Sequence, residues 1–123
     1  MRGWLRRWAP VGVWIGIIFA VSSIGTLPSV DRGLVDQLMH WAGHLSEYAV
    51  LSFLLLRALN DGRSVTRREI VITLIVAAVY GLSDEWHQTF VPGRNGDAWT
   101  VGLDTVGALM GCVGYRKRMR DEG

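Results

Sequence analysis

Apolar residues fall in four long runs divided by short polar connections, at roughly residues 8–24, 39–59, 70–91 and 98–115. Each run approaches the ~20 residues a helix needs to cross ~30 Å of hydrocarbon. The pattern predicts an all-α membrane bundle of four transmembrane helices, with residues 1–123 forming one domain. The first run, WAPVGVWIGIIFAVSSI, follows the basic stretch MRGWLRRW, a layout that secretory signals share. We expect it to be retained, because FAVSSIGTLP offers a poor small-residue cleavage site ahead of its proline turn.

Lys and Arg set the expected orientation, since short loops rich in them stay in the cytoplasm. Arg2, Arg6 and Arg7 precede the first run, Arg57, Arg63, Arg67 and Arg68 surround the second loop, and Arg116, Lys117, Arg118 and Arg120 follow the fourth run. The other two connections carry only Arg32 and Arg94. Both termini and the 60–69 loop are therefore predicted to be cytoplasmic, in a multi-pass membrane protein, with the 25–38 and 92–97 connections outside. Trp4, Trp8, Trp41, Trp86 and Trp99 stand near the run ends, where interfacial anchors belong. Gly12 with Gly16, and Gly107 with Gly111, have the four-residue spacing that lets helix backbones approach closely in lipid, so both pairs are predicted packing positions.

Composition supports this picture. Half of the 123 residues are hydrophobic, more than a water-exposed domain of this size can bury. The net charge is only +2, and its clustering between apolar runs suits membrane orientation and argues against a nucleic-acid partner. The single cysteine, Cys112, excludes an intrachain disulfide and is expected to be a buried packing residue.

Charged side chains cost at least ~2.5 kcal/mol at the centre of a membrane helix, and those that persist usually face a bundle interior or a watery cavity. Here His40, His44 and Glu47 lie in the second run, Asp84, Glu85, His87 and Gln88 in the third, and Asp104 in the fourth. At ~1.5 Å per residue, all of them fall within roughly 12 Å of the predicted outer interface. Three segments thus deliver polar groups to one level of the membrane. His40, His44, Glu47, Tyr48 and Leu51 share one helical face, as do Tyr80, Asp84, His87 and Gln88, while Glu85 points about 100° away from Asp84. Pro92 and Gly93 should end the third helix and hold Arg94 just outside this cluster. Asp104 shares its face with Gly107, Ala108 and Gly111 and is expected to point at neighbouring helices.

The segments HLSEYAVLSFLLLRAL and YGLSDEWHQTFVPGRNGDAWTVGLDTVGALMG resemble the VanZ-like family of bacterial membrane proteins. The shared pattern is H-x-x-E-Y, then S-D-E-x-x-Q and P-G-R, then an Asp leading into G-x-x-x-G. It carries over to His44, Glu47, Tyr48, Ser83, Asp84, Glu85, His87, Gln88, Pro92, Gly93, Arg94, Asp104, Gly107 and Gly111. Thr100 departs from the pattern, because relatives often place an acid six residues after the Arg. The resemblance implies a small helical membrane protein of the cell envelope. Through the family's name it also implies low-level resistance to teicoplanin, a glycopeptide acting at the outer membrane surface.

Three readings stay open at the level of sequence. In the first, an outward-facing pocket recognises an anionic envelope lipid or a lipid-linked cell-wall precursor. Arg94 would engage phosphate, with Gln88, Asp84, Glu47, Tyr48 and Asp104 completing the binding set. In the second, the same pocket is an intramembrane hydrolase or transferase, with Glu85, His44 and His87 as acid/base groups. A metal, itself unidentified, could then be held by His40 and His44 with Glu85, His87 and Asp104. In the third, the polar groups only hold the helices in register. No cofactor and no oligomeric state follow from the residues.

Overall fold

The computed structural model describes residues 2–22, 34–60, 62, 64–90 and 99–122, and these form four helices joined up and down: α1 (Arg2–Ser22), α2 (Leu34–Asn60), α3 (Arg67–Gln88) and α4 (Trp99–Glu122). The helices run past the apolar stretches at several ends. The basic residues of the N-terminal and C-terminal segments are themselves helical, Arg6 and Arg7 in α1 and Arg116 to Arg120 in α4.

Local chemistry fixes the α2–α3 corner. Gly62 has a φ of 79°, a left-handed conformation that residues with a Cβ rarely adopt. Four residues later Thr66 caps α3: its hydroxyl accepts from the Glu69 N–H at 3.2 Å, and the Glu69 carboxylate accepts from the Thr66 N–H at 2.9 Å. This reciprocal pair satisfies two backbone donors that a helix start otherwise leaves orphaned. At this same end of α2, Arg7 of α1 reaches the Ala58 carbonyl with Nε at 2.8 Å and with Nη2. A cation there complements both the unpaired carbonyls and the negative end of the helix.

The closest pair is α2 with α4, which run parallel, while α1 and α3 touch least. Glycine makes the close approach possible. A Cβ on Gly107 would stand 2.5 Å from the Leu45 carbonyl oxygen, and one on Gly111 would strike the Ala49 carbonyl and the Ser52 hydroxyl. Backbone therefore lies directly on backbone, the contact that drives helix pairing where lipid removes any hydrophobic gain. Gly12 and Gly16 of α1 do not pack in this way, contrary to expectation: both are exposed, with nothing within 4 Å of a Cβ. Instead α1 is fastened through side chains to carbonyls. Trp14 Nε1 donates to Glu47 O of α2 at 2.8 Å, and the Tyr80 hydroxyl of α3 donates to Ile15 O at 3.0 Å.

The distribution of polarity is the reverse of a water-soluble core. Val13, Ile17, Phe19, Ile75, Val79 and Val113 are exposed, while Asp84, Glu85, Thr100 and Asp104 are buried. Among the described residues, only α1 and α3 are by themselves long and apolar enough to cross a membrane. α2 and α4 fall short of that measure because the ionisable residues of α2, and Asp104 and the glycines of α4, dilute their apolar content.

Candidate functional site

The buried ionisable groups collect at the end of the bundle where α2 and α4 begin and α3 finishes. His44, three turns into α2, meets Asp104 of α4 with Nδ1 2.6 Å from Oδ1. Asp104 is fully buried and His44 nearly so. One proton lies between these two atoms, because a carboxylate oxygen and a bare ring nitrogen would both be acceptors. The parallel register set by Gly107 and Gly111 brings these two residues, sixty apart in sequence, to the same height.

Glu85 lies one step further along α3, where the Thr100 hydroxyl of α4 donates to its Oε1. Thr100 is thereby part of the site. A hydroxyl donates to a buried carboxylate, whereas a second acid there would need a shared proton. Gly81, one turn earlier on α3, faces Asp104: a Cβ would stand 3.0 Å from Asp104 Oδ2. Neither Thr100 nor Gly81 was assigned a role from sequence, although Thr100 stood out as a departure from the pattern.

Tyr48 is completely buried one turn after His44, with the two rings stacked at 6.5 Å and the Tyr80 ring 6.2 Å away. Asp104, Asp84 and Glu47 all lie within electrostatic reach of its hydroxyl. Among the described residues, three buried polar atoms at this end have no hydrogen-bond partner: Tyr48 Oη, Asp104 Oδ2 and His87 Nδ1. Buried polar atoms are paired in the great majority of cases, and each exception calls for an explanation such as a water or ligand.

The candidate residues are not all gathered in one place. His44, Tyr48, Asp84, Glu85 and Asp104 are buried, and Glu47 is half-buried beside them with its carbonyl held by Trp14. His87 turns to α1, stacking on Phe19 at a ring distance of 4.6 Å. Although Asp84 and Glu85 are about 100° apart on α3, both are buried, because α2 and α4 together cover that side of the helix. Arg94, Pro92, Gly93 and Asp97 lie outside the described residues, as do the side chains of Gln88 and His40. Among the described residues no group of three or more His, Cys, Asp or Glu is arranged to hold a metal ion. Cys112 is buried and free.

The model of the VanZ/LLP1 family matches residues 8–119, so the chain belongs to that family. No curated protein and no solved structure matches it. Family membership and two apolar helices of spanning length point to a membrane protein.

Proposed function

Starting from membership of the VanZ/LLP1 family, we propose that this is a four-span envelope protein that recognises a lipid-linked glycan at the outer leaflet of the bacterial inner membrane, with both termini in the cytoplasm. One observation carries the reading: a buried cluster of carboxylates and histidine in which Tyr48 Oη and Asp104 Oδ2 have no partner among the described residues. Carboxylates accept hydrogen bonds and do not donate them, so Glu47, Asp84, Glu85 and Asp104 suit sugar hydroxyls or an ammonium group. A phosphate would be repelled by them and falls to Arg94 in the connection after α3, whose guanidinium can engage it through paired donors. Of the ligands expected from sequence, a lipid-linked glycan therefore fits better than a simple anionic phospholipid. Engaging a cell-wall precursor there is also how the protein would contribute to teicoplanin-type resistance.

Native mass spectrometry from gentle detergent tests this, comparing wild type with Asp104→Asn. The expected result is a lipid-linked saccharide on wild type that is retained about tenfold less by the variant, a difference of ~1.4 kcal/mol. A bound lipid without sugar, equal on both proteins, would overturn the glycan reading. The His44–Asp104 pair favours one second reading, acid/base chemistry on the same ligand, because a carboxylate orienting a histidine is how a general base is commonly held. Release of sugar or phosphate from an added polyprenyl diphosphate sugar, lost in His44→Gln, distinguishes the two.

A further inference from the structure

Outside the polar cluster, the face of α3 turned away from the bundle carries a groove of about 330 Å³ lined by Ile75, Val76, Val79, Tyr80 and Ser83. That volume is at the small end of the range for small-molecule sites. Its lining is almost wholly apolar, and Ile75, Val76 and Val79 are exposed. Three features connect it to the site. Ser83, its one small hydroxyl residue, immediately precedes Asp84 and Glu85, so the groove ends at the level of the buried carboxylates. Tyr80 belongs to both: it lines the groove, and its ring lies 6.2 Å from that of Tyr48, whose hydroxyl is one of the atoms without a partner. Depth also matches, since eight residues of helix from Ile75 to Ser83 span ~12 Å, close to the ~15 Å that one leaflet contributes to the hydrocarbon.

We propose that this groove is a binding site for the hydrocarbon chain of the ligand, an isoprenoid or acyl tail laid along α3 with its polar head turned inward at Ser83 toward the carboxylates. The assignment rests on the lipid-linked reading above. The tail leaves a surrounding that is already hydrocarbon, so the groove selects it by shape and close packing and not by escape from water. That mechanism predicts a modest, chain-dependent contribution, with the greater part of recognition at the head.

The test is titration of the full-length protein in detergent with a polyprenyl phosphate carrying a hexose, read by native mass spectrometry. Val79→Trp fills the groove, Val113→Trp places the same bulk on the exposed face of α4, and Asp104→Asn reports the head site. Val79→Trp is expected to weaken binding about tenfold, with Val113→Trp like wild type and both tryptophan variants matching its thermal midpoint. Wild-type affinity in Val79→Trp with loss in Asp104→Asn overturns the groove and leaves the head site standing. Loss in Val79→Trp with none in Asp104→Asn supports the groove and overturns the head site, and absence of any adduct on wild type overturns both. A diazirine placed in the tail gives a second measurement that does not depend on variants folding: label is expected on the peptide containing residues 75–83. Label spread evenly over the exposed faces of α1 and α4 overturns the groove.

Discussion

At the Asn60 end of the bundle a buried amide uses both of its groups. Asn60 Nδ2 donates to the Ser64 carbonyl at 3.2 Å and to Glu69 Oε1 at 3.1 Å, and Oδ1 accepts from the Tyr115 hydroxyl at 3.1 Å. Four segments, α2, the α2–α3 corner, α3 and α4, are thereby tied through one side chain. At the Asp104 end the same helices are again linked by buried polar groups, His44 to Asp104 and Thr100 to Glu85, but Tyr48 Oη and Asp104 Oδ2 are left over among the described residues. A network whose task is to hold helices together is stable when its members are paired, and each unpaired buried atom costs ~1–3 kcal/mol. The first end behaves as a fastening. The second leaves buried polar atoms to be completed, and on the function proposed above the ligand completes them.

The largest expected effect breaks the frame that both ends share. Gly111→Val drives a branched side chain into the Ala49 carbonyl and the Ser52 hydroxyl, and should lower stability in detergent by about 3 kcal/mol, measured by thermal or denaturant unfolding. Next comes Asn60→Ala, expected to cost about 2 kcal/mol by deleting the bonds to Ser64, Glu69 and Tyr115, with ligand retained by each folded molecule. The most direct contrast is between two tyrosines losing a hydroxyl. Tyr115→Phe should destabilise by about 1 kcal/mol, whereas Tyr48→Phe should be neutral or stabilising by up to about 1 kcal/mol while weakening ligand retention. If Tyr48→Phe destabilises as Tyr115→Phe does, the two ends are alike and the contrast is lost. The smallest effect is Gly81→Ala: its methyl presses on Asp104 Oδ2 at 3.0 Å, costing under about 1 kcal/mol. It should move the His44 ring resonances in an NMR spectrum while leaving Tyr115 undisturbed.

Much of this arrangement is legible before any coordinates. Hydropathy marks all four helical segments, and the depth of His44, Glu85 and Asp104 along their runs brings them to one level. What spacing along one helix cannot supply is which face meets which neighbour. The two glycine pairs make the point: Gly107 and Gly111 carry the tightest contact in the bundle, while Gly12 and Gly16, with identical spacing, face outward. The partner of Asp104 depends on the α2–α4 register, which arises from that contact and not from either helix alone. His87 shares a face with Asp84 in projection, yet its ring reaches Phe19 of α1. Gly81 gives no sequence signal for its role, since what matters there is the absence of a side chain opposite a carboxylate contributed by another helix.

The backbone contact between α2 and α4 also divides the molecule mechanically. Where the carbonyls of Leu45 and Ala49 are seated against glycines, no flexible side chain lies between the two backbones to absorb sliding, so the two helices are held as a single stiff spine. α1 hangs on that spine by tryptophan and arginine bonds to carbonyls, and meets α3 through the Tyr80 bond and a ring stack. Any breathing of the bundle is therefore concentrated at the α1–α3 seam, beside the Tyr80 ring that neighbours the buried Tyr48.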